Sequence, residues 1–272
     1  MDMRNRIIIL STLIVLILIN PFEASARRYK GTGIVAHRGF WNCEAAGFAK
    51  NSIAALRCAQ EAGVWGSEFD VNMTADEVLL VFHDSSVEGK SIEKNKHEDF
   101  KYFRLENGEP IPTIDQYLEQ GRKYPETMLV YEIKGHSCNE VEDRVVELSI
   151  EKLKEYGLLD PSKVMFISFS INICEELANK LPGFTVQFLG SSLSPIELAE
   201  RKINGVDYNH AVYAKHPDWY KQARKRRMSV NAWTVNNEED MKTMLKMKVD
   251  MLTTDYPLVS RKVMKKMRKK EL

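Results

Sequence analysis

Between residues 34 and 254 the chain repeats one pattern eight times, a short apolar run followed by a longer amphipathic segment. The apolar runs fall at 34–36, 67–71, 128–133, 164–169, 185–189, 206–208, 229–234 and 251–254. Runs of this length read as buried strands, and segments with apolar residues three and four apart read as helices. Two segments carry helix-start chemistry. Thr113-Ile114-Asp115-Gln116 and Ser194-Pro195-Ile196-Glu197 each fit a capping box, the second with proline at the first helical position. Asn139 is placed to cap a long helix with Val145, Val146, Ile150 and Leu153 on its apolar face and Gly157 as its stop. The stretch from Arg261 to Lys270 reads as a last outer helix. Eight strand–helix units in 272 residues predict an α/β fold, a (β/α)8 TIM barrel. The alternative is a doubly wound open sheet, and the lack of a glycine-rich phosphate loop after the first run counts against it.

The alternation breaks once. The run at 67–71 is followed within a few residues by a second apolar run, 78–82, and then by His83-Asp84. Adjacent parallel strands need a crossover of a dozen or more residues, so a connection this short implies a hairpin-like excursion. Residues 72–112 therefore read as an insertion between the second strand and its helix. An insertion there sits at the C-terminal mouth, where such barrels carry their chemistry.

Hydrophobic residues make up 44% and charged residues 28% of the chain, a balance that supports one sizeable core. The formal net charge is +1, which gives no electrostatic reason to expect nucleic acid. Arg4 and Arg6 precede an unbroken apolar run at 7–19, then Pro21 and Ala24-Ser25-Ala26. This reads as a secretory signal peptide over residues 1–26, leaving 27–272 as the barrel domain of an exported, periplasmic or extracellular protein. As a helix the run would rise only about 20 Å, short of a hydrocarbon core of about 30 Å; an uncleaved anchor is the other reading. Export would place Cys43, Cys58, Cys138 and Cys174 in an oxidising compartment, where they allow three full pairings. Cys58 falls in a helical pattern as a small core residue, while Cys43 and Cys138 each follow a strand end and could be bonded.

The polar residues that interrupt the apolar runs all fall at one end of the barrel. His37 and Arg38 close the first strand. Glu68 and Asp70, two apart on the second, share a face. Glu132 interrupts the third strand with Lys134 two residues on, and His83 reaches the same mouth from the insertion. Each alone has an ordinary explanation: a solvated strand edge, a satisfied histidine, a rim ion pair. Together they put three acids, two histidines and two cations at one mouth. Burying the acids uncompensated is costly, and one divalent cation, Ca2+ or Mg2+ given all-oxygen ligands, is the economical answer. A hard cation with two imidazoles and flanking positive charge suits phosphoryl chemistry.

The segments "HRG" at 37–39, "NS" at 51–52, "SEFDVNMTADEVLLVFHD" at 67–84, "EIK" at 132–134, "VNAWTVN" at 230–236 and "TTDYP" at 253–257 resemble the glycerophosphodiester phosphodiesterase family, in the right order across nearly the whole chain. The resemblance implies hydrolysis of small-molecule glycerophosphodiesters to sn-glycerol 3-phosphate and an alcohol. It implies catalytic roles for His37 and His83 and metal ligation by Glu68, Asp70 and Glu132. It also implies phosphate contacts from Arg38 and Lys134, and an aromatic substrate wall at Trp233. The sequence departs from the family where "PEN" would stand. It reads "AKN", with Lys50 in the acidic position and an eleven-residue loop, 40–50, before Asn51.

Two other functions fit the same barrel. In one, an internal hydroxyl of the substrate attacks and a cyclic phosphate leaves; in the other, the barrel is a non-catalytic surface binding module. Among the remaining histidines, His136 lies nearest the mouth and His216 reads as a helix start. The basic stretch 261–270 reads as a solvated helix, with contact to an anionic lipid surface as its other reading.

Overall fold

The computed structural model describes residues 31–270, so the proposed leader lies outside the described residues. The chain begins with β1 (Gly33–Ala36), α1 (Ile53–Glu61) and β2 (Gly66–Met73). The excursion follows as β3 (Leu79–Val81), β4 (Ser86–Val87), β5 (Lys90–Ser91) and a 3-10 turn at His97–Phe100. Regular alternation then resumes with α2 (Ile114–Gly121), β6 (Met128–Ile133), α3 (Asn139–Glu155), β7 (Val164–Ser168), α4 (Ile171–Lys180), β8 (Val186–Phe188), α5 (Pro195–Glu200) and β9 (Gly205–Asn209). Two short helices, α6 (His210–Lys215) and α7 (Trp219–Lys225), lead to β10 (Ser229–Trp233), α8 (Glu238–Met247), β11 (Met251–Thr254) and α9 (Pro257–Lys270).

Strands β1, β2, β6, β7, β8, β9, β10 and β11 are parallel and in that cyclic order, and β1 pairs with both β11 and β2, which closes the barrel. All eight expected strands are present. The 78–82 run is a hairpin: β3 lies antiparallel on the far end of β2, with Val71 opposite Val81 and Met73 opposite Leu79. The excursion has its own small core, in which Leu80, Val87, Ile92, Phe100, Leu105 and Ile111 are buried together. Because β3 runs back along β2, the Phe82 amide reaches the Asp70 carbonyl at 3.0 Å and His83 returns to the barrel mouth.

The period of two along each strand divides the protein into two cores. Residues facing the helices form the larger one, in which Phe69 packs on Tyr117 at 4.5 Å and Tyr131 at 4.8 Å between ring centroids. Residues facing inward include Val35, Met128, Val130, Met165, Ile167, Leu189 and Met251, an apolar plug with Trp65 and Trp233 packed against it. Beside this plug the interior turns polar, with Asn231 Nδ2 donating to Asp207 at 2.9 Å and to Thr253 Oγ1 at 3.1 Å.

Local signals were accurate at helix starts with a side-chain acceptor. Thr113 and Ser194 both close capping boxes, and Pro195 begins α5. Two expectations need correction. The N-cap of α3 is Cys138 rather than Asn139, with no side-chain cap bond. His216 ends α6 instead of starting a helix, and its ring stacks on Trp219 at 4.0 Å, an aromatic contact that a pattern of charges and prolines does not encode.

Phe69 is fully buried between two tyrosines. Phe69→Ala is expected to lower unfolding free energy by about 3–5 kcal/mol, read as a lower urea midpoint at unchanged m.

Candidate active site

Glu68, Asp70 and Glu132 meet because β2 and β6 are neighbours in register, with Asp70 opposite Glu132 and Glu68 one inward step behind. One oxygen from each can be chosen so that all lie within 4.8 Å of one another. All three are buried. Asn51 Nδ2 donates to Asp70 Oδ2 at 2.9 Å, and Lys134 Nζ reaches Glu132 Oε1 at 2.6 Å and Asp70 Oδ1 at 3.2 Å. The Arg38 amide donates to Glu68 Oε2 at 2.6 Å, while its guanidinium Nε stands 3.6 Å from Asp70. Glu68 Oε1 is buried with no hydrogen-bond partner.

The turn after β1 is bonded to two strands. The His37 amide bonds to the Thr254 carbonyl at 3.0 Å and the Gly39 amide to the Glu68 carbonyl at 2.9 Å. Arg38 and Gly39 both have positive φ, and a Cβ on Gly39 would stand 2.7 Å from the Ala55 methyl. Only glycine therefore lets the chain pass so close to α1. His37 Nδ1 donates to Asp255 Oδ1 at 2.8 Å, and His83 Nδ1 to Asp84 Oδ1 at 2.6 Å. These bonds leave Nε2 of each ring without a carboxylate partner. Seven of the eight expected site residues line one cavity of about 120 Å³, the eighth, Lys134, being bonded to its acids from the side. A second cavity of about 330 Å³ opens beside it, sharing Arg38 and His83 and bounded by Lys50, Phe103 and Arg104.

Electrostatics divides the three acids. Burial, with the charges of Asp70 and Glu132, pushes the Glu68 carboxyl well above the usual carboxylate range. Burial and the Asp70 charge likewise push Glu132 up to about 8, against the opposing pull of Lys134. Burial also acts to raise Asp70, but the Lys134, His83 and Arg38 charges outweigh it and hold Asp70 below its ordinary value. Three acids crowd one dry spot, so Glu68 and Glu132 are held toward their neutral forms unless further positive charge enters, while Asp70 is not. The unpartnered Glu68 oxygen and the all-oxygen donor set fit a hard divalent cation.

Several contacts at the candidate site were not assigned from sequence. Asp255 lies in the quoted "TTDYP" and accepts from His37, from Trp41 Nε1 at 3.0 Å and from Asn236 Nδ2 at 2.6 Å. Burial would raise its carboxyl, but these donors, His37 foremost, bring it down to about 2. Asn51, in the quoted "NS", holds Asp70. Phe169 packs edge-on against Trp233 at 5.5 Å and, 48% exposed, forms part of the cavity wall. His136 is a structural residue: its Nε2 accepts from the Met73 amide at 3.1 Å and its Nδ1 donates to the Lys134 carbonyl at 2.8 Å.

A (β/α)8 barrel with buried acids, paired histidines and cations at its C-terminal mouth defines a phosphodiester-hydrolysing class of enzyme. The chain belongs to the glycerophosphoryl diester phosphodiesterase family, whose model matches residues 37–259. Its fold is similar to the crystal structure of a glycerophosphodiester phosphodiesterase from Parabacteroides distasonis. The TM-score is 0.84 at 38% identity, over 88% of this chain and 98% of that one. A glycerophosphodiester phosphodiesterase of Caldanaerobacter subterraneus is 28% identical over 83% of this chain and 95% of its own length. The phosphodiesterase of Oleispira antarctica, solved with the product sn-glycerol-3-phosphate, shares the fold at 21% identity and a TM-score of 0.72, over 86% of this chain and 97% of that one.

Asp255→Asn is expected to lower kcat on the order of 10²-fold with KM little changed, because His37 loses its anchoring charge. The wild-type carboxyl, about 2 folded against about 3.9 unfolded, contributes stability above pH 4 that is lost as pH falls toward 2. A pH series of urea midpoints should therefore fall less steeply below pH 4 in the variant.

Proposed function

We propose that the enzyme hydrolyses glycerophosphodiesters to sn-glycerol 3-phosphate and an alcohol with one divalent cation, Ca2+ or Mg2+, held by Glu68, Asp70 and Glu132. The convergence of three buried carboxylates, one oxygen of which has no partner, carries this reading. Held by these three carboxylates, a cation would supply the positive charge that offsets the phosphoryl oxygens during attack at phosphorus. Arg38 and Lys134 supply the remaining positive charge at the phosphate. His37 and His83, each with Nδ1 committed to a carboxylate, use Nε2: one takes a proton from the attacking water and the other gives one to the departing alkoxide. Burial holds the His83 pKa below the ordinary histidine value, against the raising influence of Asp70, so its neutral form persists at neutral pH. Trp233, its indole fixed by a 2.8 Å bond to the Asp207 carbonyl, and Phe169 wall the substrate from bulk water.

We also read residues 1–26 as a cleaved leader and 27–272 as the exported catalytic domain, from sequence alone. The many lysines and arginines of α9 would meet an anionic membrane surface only by charge.

Purified protein is expected to release glycerol 3-phosphate from glycerophosphocholine or glycerophosphoethanolamine, to stop on chelation and to recover with Ca2+ or Mg2+. His83→Ala should lose at least about 10²-fold in kcat with an unchanged circular dichroism spectrum. Full activity in that variant would contradict the mechanism, and a persistent cyclic ester in the phosphorus NMR spectrum would indicate internal attack.

A further inference from the structure

Two of the four cysteines stand together beside the site. Cys58 lies on the inner face of α1, buried among Ala46, Ala54 and Ala55, and Cys43 packs against the same cluster from the 40–50 loop. Cys43 is near enough to bear on the Cys58 thiol, which burial first and Cys43 next push up to about 12. The loop is fixed to the helix by backbone as well: the Phe40 amide bonds to the Ala55 carbonyl at 3.0 Å, and the Cys43 Sγ donates to the Phe40 carbonyl at 3.2 Å. Cys138, by contrast, is exposed at the start of α3, and Cys174 is buried under β7 and β8, its thiol facing the Ser168 and Gln187 carbonyls. The 43–58 pair, not the 43–138 pair considered from sequence, shares one packed cluster.

We propose that Cys43 and Cys58 are a disulfide site, oxidised by exchange with a small-molecule or protein disulfide, and that the bond clasps the 40–50 loop onto α1. The half-buried Cys43 meets the oxidant first. Its thiolate attacks one sulfur of the oxidant's disulfide and releases the other as a thiol, giving a mixed disulfide. Cys58, deprotonated as it reacts, attacks Cys43 Sγ and releases the second thiol. Two protein thiols become one disulfide, and one oxidant disulfide becomes two thiols.

The clasp bears on the catalytic centre. Two residues before Cys43, Trp41 Nε1 donates to Asp255, the carboxylate that holds His37, and the Lys50 ammonium lies 4.7 Å from the centre of the Trp41 ring. The loop is irregular apart from a three-residue 3-10 turn at Glu44–Ala46, and the backbone bonds of its middle stay within the loop, from the Ala46 and Phe48 amides to the Cys43 carbonyl at 3.2 and 3.4 Å and from the Gly47 amide to the Glu44 carbonyl at 2.9 Å. A covalent tie at Cys43 restricts the chain that supports this side of the pocket. The export reading supplies an oxidising compartment, but the chemistry is tested in vitro without it.

The full chain is incubated with oxidised glutathione, alkylated, digested without reductant and mapped by mass spectrometry. The expected result is the Cys43 and Cys58 peptides joined, with Cys138 and Cys174 alkylated. Dithiothreitol should then lower Tm by about 5–10 °C, and the oxidised Cys43→Ser variant, altered only at a half-buried position, should show no such response. Four alkylated cysteines after oxidation, or Cys43 joined to Cys138, would overturn the proposal.

Discussion

Glu68, Asp70 and Glu132 crowd into one dry point, and Lys134 and Arg38, with His83 when protonated, offset their charge. A carboxylate is stable in such a place only when oppositely charged or hydrogen-bonding groups surround it. Much of the mouth serves that need. The turn after β1 exposes an amide to Glu68, Asn51 takes a left-handed backbone to present its amide to Asp70, and Lys134 spans two acids. Asp70 has donors on both oxygens and Glu68 has one oxygen without a partner, an inequality that supports the cation position proposed above.

The barrel makes this concentration of charge possible. The inward plug of Val35, Val130, Ile167 and Leu189 supplies the cohesion that charged ends of strands cannot. A strand such as β2 can therefore carry alternate duties, with Phe69 fixed between Tyr117 and Tyr131 on the helix side and its two neighbours projecting inward as acids. Any residual slip in register would turn both acids into the helix layer. The dense aromatic packing around Phe69 therefore bears on chemistry as well as stability.

Strands and site acids were legible in the sequence because both follow from the period of two. An acid interrupting an apolar run has to lie at an end or on a face, and the parallel barrel brings such ends together. His83 was legible once the 78–82 run was taken as a hairpin. Asp255, Trp41 and Phe169 were not assigned, because their roles come from contacts between segments far apart in sequence; His37 and Asp255 are 218 positions apart. The nearness of Cys43 to Cys58 was not read from sequence for the same reason: thiols after strand ends look equivalent there, and only the fold of the 40–50 loop brings Cys43 against α1. His216 differed because ring stacking on Trp219 leaves no periodic trace.

The central claim is that the acid triad is a cation site whose members repel one another until it is filled. Thermal unfolding of the chelated full chain with increasing Ca2+ or Mg2+, for wild type and Glu68→Gln, tests it most directly. The account predicts a saturable rise in wild-type Tm with one of the two ions. It also predicts a chelated variant at least as stable as chelated wild type, with the rise lost. A wild-type Tm indifferent to both ions, or a variant that keeps the full rise, would contradict it.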